Sequence, residues 1–554
     1  MGRVGHRTPV GFRGTRRRGR GVGAVLAALA LFVSVLALPA PVPARAQTSG
    51  VIGADAVVVV NSASAAYGDY TTFLQPYLDQ FGVPYTEVDI ATTDPVSFSD
   101  EALIIIGHRQ LDAGGTYLDA SEETSLSDAV AAGTGLVNFD NDLSADATNP
   151  RYQYVDDVFG FGYGGATSAS GAAFPNPAAH YITERHPTGD SISTATMTLA
   201  GITLPSAAEA LVTSSGDPLV AVTTYGAGNA VQWASYDWMS HDVLGPISGM
   251  DDVLWRSLVW AARKPFVMQS MPPFVTMRMD DVDGSPGLGW VDAANDYGFK
   301  PWLGVFYNDM TPDAATELSG IVAAGNATVS IHSDVSASSG EFFYFDHSDG
   351  VDRADADLAT SFAAGTAWHD TYSIPASDHL VGHYYEVGSN ALTGGDGWGL
   401  DDWGVEFIGM PMEPGLPHTT SNWLAAGPYR LSETGAPNDQ STPAYYADYY
   451  EMPSGEEFFA CFSEIRGVTS YEWLTGVNTS TATEAIDVGT EWLTRGLDSL
   501  ILASLFTHEY EVDGIAAGVW RDILAGVTGA VADYDPIYVT MDDACRYTRA
   551  IHDS

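Results

Sequence analysis

The chain has 554 residues and sets 23 Lys and Arg against 70 Asp and Glu, for a formal charge of -47 at neutral pH. That length has room for about two to four domains with cores of their own. The charge argues against nucleic-acid binding and against adhesion to anionic membranes, and it suits a salty exterior or neutral and cationic substrates.

The first 46 residues differ from all that follows. Arg16, Arg17, Arg18 and Arg20 precede an apolar run from Val22 to Leu38, and Ala44, Arg45 and Ala46 then offer a peptidase site. This predicts an export signal over 1–46, delivery to the exterior or the cell envelope, and no stable membrane insertion once the signal is removed. The arginine run keeps both the general secretory and the twin-arginine routes open. Eight of the cations lie here, so the rest of the chain sets 15 against 70 carboxylates. Cys461 and Cys545 are the only cysteines. An oxidising compartment is compatible with a disulfide between them, but sequence separation does not decide whether they meet.

Residues 50–265 alternate between strands and helices. AVVVV (56–60), YTEVDI (85–90) and ALIII (102–106) are strand-like, and FLQPYLDQFG (73–82) has helical spacing that stops at a glycine. LSDAVAAGTGLVNFD (126–140) predicts a helix and a strand, LVAVTTYGAGNAVQWASYD (219–237) a hairpin, and DDVLWRSLVWAARK (251–264) a closing helix. This order predicts a doubly wound sheet. It resembles the class I glutamine amidotransferase-like domain, whose fold is flavodoxin-like. The resemblance implies a nucleophilic cysteine at a strand-to-helix elbow, and the region has none. The domain is therefore expected to be non-catalytic, a scaffold or a glycan-contacting module, and His108 is read as a satisfied loop residue.

The linker KPFVMQSMPP (264–273) leads into a second unit over 270–554. MRMDDVDG (277–284) ends an apolar strand at a glycine-rich turn, which places Asp280 and Asp281 where ligands collect in α/β folds. A helix near 290–297, the strand PWLGVFY (301–307), a helix near 311–324 and the strand ATVSIHS (327–333) follow. Residues 334–378 show no clear period and are expected to be an insertion over the strand ends. HLVGHYYEVG (379–388), WGVEFIGM (403–410), DSLILASLFTHE (498–509) and PIYVTM (536–541) supply further strands, for a total of seven.

His332, His383 and His508 each fall at a predicted strand end of the unit that carries Asp280 and Asp281. Imidazoles and carboxylates at one rim form a ligand set for zinc or a similar divalent ion. Tyr384, Tyr385, Trp368 and Trp403 are candidates for a sugar-stacking cleft or for ordinary core packing.

This half resembles the polysaccharide deacetylase family with the NodB homology domain. MRMDDVDG matches that family's first motif, SIHS the start of its second, and LFTHE its last. The resemblance implies a distorted (β/α)7 barrel of the glycoside hydrolase and deacetylase type. It also implies Asp280 as general base, Asp281 and His332 as metal ligands, and His508 as the acid that protonates the leaving amine. A further histidine is expected four residues after His332, where this chain has Ser336. His383 is taken as the third ligand, with His347 and His369 as rivals. The family's Arg-Pro motif is absent, HYYEVGSNAL occupies its approximate place, and Asp401-Asp402-Trp403 is similar to its Asp-Trp motif. The implied activity is metal-dependent removal of N-acetyl or O-acetyl groups from a polysaccharide. The rival expectations are a glycoside hydrolase or lyase using Asp280 and Glu386, and a non-catalytic extracellular glycan-binding protein.

Overall fold

The computed structural model describes residues 53–553 except 95–97, 99, 113–117, 144–151, 241, 337–339, 410–414, 416–446, 452–456 and 462–471. The expected export signal lies outside these residues. Nine strands form the first sheet: β1 (Ala56–Val60), β2 (Tyr85–Asp89), β3 (Leu103–Ile106), β4 (Gly135–Asn138), β5 (Gly162–Ala173), β6 (Ser191–Thr203), β7 (Glu209–Ser214), β8 (Asp217–Tyr225) and β9 (Gly228–Trp233). Their order is β2-β1-β3-β4-β9-β8-β7-β5-β6. The pairs from β2 to β9 are parallel, and β1, β3 and β4 are buried throughout, as continuous apolar runs require when both faces are covered.

Beyond β9 the pairing turns antiparallel, so the sheet is mixed and the expected doubly wound pattern accounts only for its first part. The long hairpin β5–β6 escaped the sequence reading because it is built from Gly, Ala, Ser and Thr, which give no apolar alternation.

The second sheet is parallel, in the order β12-β11-β10-β17, from β10 (Phe274–Val282), β11 (Trp302–Phe306), β12 (Thr328–Ser333) and β17 (Ala503–His508); β18 (Ile537–Tyr538) also pairs with β10. A third sheet has the order β13-β14-β16-β15, from β13 (His379–Leu380), β14 (Phe407–Ile408), β15 (Ala447–Glu451) and β16 (Glu457–Cys461). Its β13 lies beside β12: Ser330 Oγ donates to the His379 carbonyl at 2.7 Å, and the Ser377 amide donates to the Val329 carbonyl at 2.7 Å.

Two expectations need correction. The strand foreseen over 379–388 is only His379–Leu380, because the chain turns at Gly382 and both Tyr384 and Tyr385 adopt positive φ, 54° and 60°. The insertion at 334–378 contains a long helix, Asp355–Tyr372. Its buried face is Leu358, Ser361, Phe362, Gly365, Trp368 and His369, a helical stripe in which three small or polar residues interrupt the apolar signal.

The first sheet and the C-terminal half belong to one compact unit over Gly50–Ser554. Trp255 Nε1 donates to the Asp498 carbonyl at 2.8 Å and Arg495 Nε to the Ile247 carbonyl at 2.6 Å, tying the two halves together. Cys461 and Cys545 are free thiols buried in one small apolar cluster. No helix among the described residues is long and apolar enough to cross a membrane.

Candidate metal centre

Adjacent residues of a regular strand point to opposite faces, so a double aspartate would ordinarily split its carboxylates. Here β10 carries an irregularity between Met279 and Val282: Met279 pairs with Leu303 and Val282 with Val305 of β11. Two residues, Asp280 and Asp281, thus lie opposite Gly304 alone, and Asp281 adopts φ 57°. The bulge turns both carboxylates toward the carboxyl ends of the parallel strands. Pairing between β11 and β12 also shifts, from Val305↔Ile331 to Phe306↔Ser333, and leaves His332 as the extra residue. Glycine at 304 makes room for it, since a Cβ there would come within 3.1 Å of the His332 Cβ and 2.9 Å of the Trp302 ring.

Ligand atoms of Asp281, His332 and His383 all lie within 4.8 Å of one another. His332 Nε2 is 3.4 Å and His383 Nε2 3.8 Å from Asp281 Oδ1. His332 Nδ1 donates to the Val381 carbonyl at 2.8 Å, which holds the ring in place with Nε2 facing the carboxylate. Burial, and then repulsion from His332, pushes the His383 pKa down to about 3, so this ring is neutral at neutral pH. Burial opposes the charge of Asp281, but His332, His508 and His383 outweigh it and hold the group below its ordinary value. Asp281 Oδ1 and His383 Nδ1 are buried without a hydrogen-bond partner among the described residues. A carboxylate oxygen facing two imidazole nitrogens is an arrangement that a cation satisfies, and two nitrogens with one oxygen are a donor set suited to zinc.

Asp280 is placed differently. Arg278, two residues earlier on the same strand face, donates from Nε to Asp280 Oδ1 at 2.8 Å and from a terminal nitrogen to Oδ2. The guanidinium is itself held between Phe506, 4.3 Å from the ring centre, and Tyr385, 5.3 Å away. Burial would raise the Asp280 pKa, but Arg278 outweighs it, with help from His332 and His508, and keeps the group ionised. Asp280 Oδ2 lies 3.7 Å from His332 Nε2.

His508 is the register partner of Asp280 across β10 and β17. Its Nδ1 bonds to the carboxylate of Glu472, whose side chain is fully buried and which also accepts the His508 amide at 3.1 Å. Burial alone would lower the His508 pKa; Glu472, then Asp281 and Asp280, reverse this and raise it to about 9. The ring is a cation at neutral pH. Tyr510 stacks on it, centroids 4.9 Å apart.

All five residues expected at the site therefore converge. His383 reaches it from a short turn three residues past β13, not from a strand end. The two rivals lie elsewhere: His369 Nδ1 bonds to the Ile374 carbonyl at the end of its helix, and His347 Nδ1 bonds to Glu386. Trp368 is buried beside Tyr307 and is a core residue, whereas Trp403 is half-buried, packs on Phe362 at the edge of the core and donates to Thr366. His108 is buried, with Nδ1 at the Arg109 carbonyl and Nε2 accepting from the Asn61 amide. Sequence reading missed Arg278 and Glu472. The i–2 spacing on one strand face was a signal for Arg278, whereas Glu472 precedes His508 by 36 residues with no local pattern.

No protein-family model matches the chain, and no curated protein matches it. Among solved structures, a cytoplasmic protein from Salmonella typhimurium is similar at 14% identity and a TM-score of 0.28, over 38% of this chain and 100% of that one. A ThuA-like protein from Bacteroides uniformis aligns at 14% identity and a TM-score of 0.28, over 40% of this chain and 94% of the other. A beta-galactosidase from Rahnella aligns at 14% identity and a TM-score of 0.24, covering 33% of this chain and 29% of that one. At such scores nothing about fold or function is drawn from them.

Proposed function

We propose that this chain is a metal-dependent hydrolase that removes acyl groups, acetyl above all, from a polysaccharide, and that its C-terminal half is a polysaccharide deacetylase-like distorted barrel. The convergence of Asp281, His332 and His383 beside a clamped carboxylate and a histidine–glutamate pair carries this reading. The strand order supports the barrel: β10, β11 and β12 neighbour one another, β13 lies beside β12, β14 and β16 continue the third sheet, and β17 returns to β10. The N-terminal sheet is then an amidotransferase-like scaffold without its nucleophile.

Asp281, His332 and His383 would hold the divalent ion, which when bound supplies Lewis acidity toward an acyl carbonyl and a water. Asp280 takes the proton of the attacking water, and Arg278 fixes both the position and the charge of that carboxylate. His508, its Nδ1 committed to Glu472, gives the Nε2 proton to the leaving nitrogen or oxygen. Water oxygen joins the carbonyl carbon, the C–N or C–O bond breaks, and acetate leaves with a free amine or hydroxyl. Glu386 is fully buried against His347, so it does not face Asp280 as an open partner across a glycosidic bond. That favours acyl transfer to water over glycoside cleavage.

The test is metal content and acetate release after zinc loading of the full chain. The expected result is one equivalent of zinc and acetate freed from acetylated chitooligosaccharide without chain shortening, both lost in Asp281→Ala and His332→Ala. A wild-type protein that retains no metal yet binds glycan would replace the hydrolase with a binding module.

A further inference from the structure

The two cysteines stand on elements far apart in the chain. Cys461 ends β16, where it pairs with Ala447 of β15, and Cys545 sits in the first half of the helix Met541–His552. That helix starts at a cap, the Thr540 hydroxyl accepting from the Asp543 amide at 3.2 Å, and it is pinned to the third sheet at three places. Ser377, just before β13, bonds to the Asp542 carboxylate. Arg549 bonds to Glu406, just before β14, and lies over the Phe407 ring, 4.6 Å from its centre. The Tyr449 hydroxyl of β15 donates to Asp553 at 3.0 Å. The Cys461 carbonyl in turn accepts from His379 Nε2 of β13 at 3.1 Å.

Among these ties the two sulfurs meet. Cys545 is fully buried and Cys461 nearly so, in an apolar cluster with Trp302, Phe407, Phe459 and Met541. The Cys545 thiol hydrogen-bonds to the Cys461 sulfur; burial, and then this contact, push its pKa well above the ordinary thiol value. Sulfurs in hydrogen-bond contact need to approach by roughly 2 Å to reach bonding distance, a movement that two Cys side chains can share by rotation. A chain that uses cysteine twice in 554 residues and brings both sulfurs into contact leaves one connectivity.

We propose that Cys461 and Cys545 are joined by a disulfide that forms while the chain folds in an oxidising medium and locks the C-terminal helix onto the third sheet. Each thiol gives up one proton and one electron as the Sγ–Sγ bond forms. A disulfide donor, such as glutathione disulfide or an oxidised dithiol protein, takes both electrons and both protons and leaves as two thiols. Exchange needs an accessible thiolate, and in the fold both sulfurs are shielded and the Cys545 thiol resists ionisation. The bond must therefore form before the helix has docked, and once formed it is shielded from reductants in the same way. It closes the segment that carries Glu472 and His508. It is independent of the hydrolase reading, since neither cysteine belongs to the metal group.

The full chain, produced once by export to a bacterial periplasm and once in a reducing cytoplasm, tests this. Each sample is alkylated in denaturant and weighed intact. The exported chain should carry no alkyl group and yield a Cys461–Cys545 linked peptide, and the cytoplasmic one should carry two groups. The cytoplasmic chain should cross-link when refolded from urea with glutathione disulfide, and react at least roughly tenfold more slowly when it is already folded. The cross-linked form should melt roughly 4 °C above the dithiol, a difference that Cys461→Ala removes. An exported chain with both cysteines alkylated, or joined to glutathione or to a second chain, overturns the pairing. Oxidation of the folded dithiol as fast as of the refolding chain overturns the claim that the bond precedes docking.

Discussion

His508 Nδ1 is bound to the carboxylate of Glu472, a side chain that no solvent reaches. The pair decides the charge of the ring, because burial would otherwise discharge it. In Glu472→Gln, burial acts against a weaker opposition and the His508 pKa should fall from about 9. The raised pKa contributes stability below the ordinary histidine value, and that contribution is lost as pH rises through the folded value. Two measurements check this. The alkaline limb of kcat/KM should move to lower pH in the variant, and the NMR titration of His508 should move with it. An unchanged limb would remove His508 as the acid.

The parts of this site legible in the sequence were those in which composition changes abruptly along one segment. Asp280 and Asp281 stand out because an apolar strand ends there in glycines, and His332 and His508 because each closes an apolar run. What periodicity could not show was the bulge that turns both aspartates the same way, since it depends on pairing with β11. The helix Asp355–Tyr372 was hidden for a packing reason. Gly365 lies in its buried face because a Cβ there would come within 2.8 Å of Ile331 and 2.9 Å of Trp403, and close approach erased the apolar residue that a pattern search needs. Glu472 acts through a partner 36 residues away, which no local rule assigns, whereas Arg278 pairs with Asp280 two residues along its own strand, a spacing that a local rule can reach.

Arg278 and Asp280 form a buried ion pair, and removal of one member leaves the other uncompensated. Arg278→Leu should therefore cost about 3–5 kcal/mol in urea unfolding. Adding Asp280→Asn to that variant removes the stranded charge and should recover part of the loss while acetate release stays abolished. A single variant as stable as wild type would show that solvent reaches the pair.

Zinc should stabilise the fold if it binds the native state alone. At a free concentration of 100 times Kd the gain is about 2.7 kcal/mol, and it grows with the logarithm of concentration. Deleting one of three ligands in His383→Ala should abolish the gain over the same range. His369→Ala should retain it, because that ring bonds at the end of its own helix, away from the metal group. Thermal unfolding at a series of zinc concentrations distinguishes these outcomes, and equal stabilisation of the His383 variant would exclude that ring as a ligand.

The seam between the halves carries its own pH dependence. Asp498 ends the helix Ala482–Asp498, where the helix dipole disfavours a negative charge, and burial followed by the nearby Asp252 raises its pKa to about 7. A carboxyl whose folded pKa lies above its unfolded value adds stability while protonated, and that stability drains away as pH rises through the folded value. Unfolding free energy should thus fall between about pH 4 and pH 7, the window set by an unfolded value near 4 and the folded value of about 7. Asp498→Asn keeps an acceptor for the Tyr534 hydroxyl, which now donates at 2.7 Å, and carries no charge to desolvate. The variant should be more stable at pH 8 by at least on the order of 1 kcal/mol and should flatten the dependence. Arg256, His186 and Asp252 face the same carboxyl, and the remaining slope includes the titration of His186, which Asp252 and Asp190 hold above its ordinary value against burial. Urea midpoints at pH 5 and pH 8 decide it: parallel curves for variant and wild type would mean that Asp498 is ionised in both states and that the seam is wetter than its packing indicates.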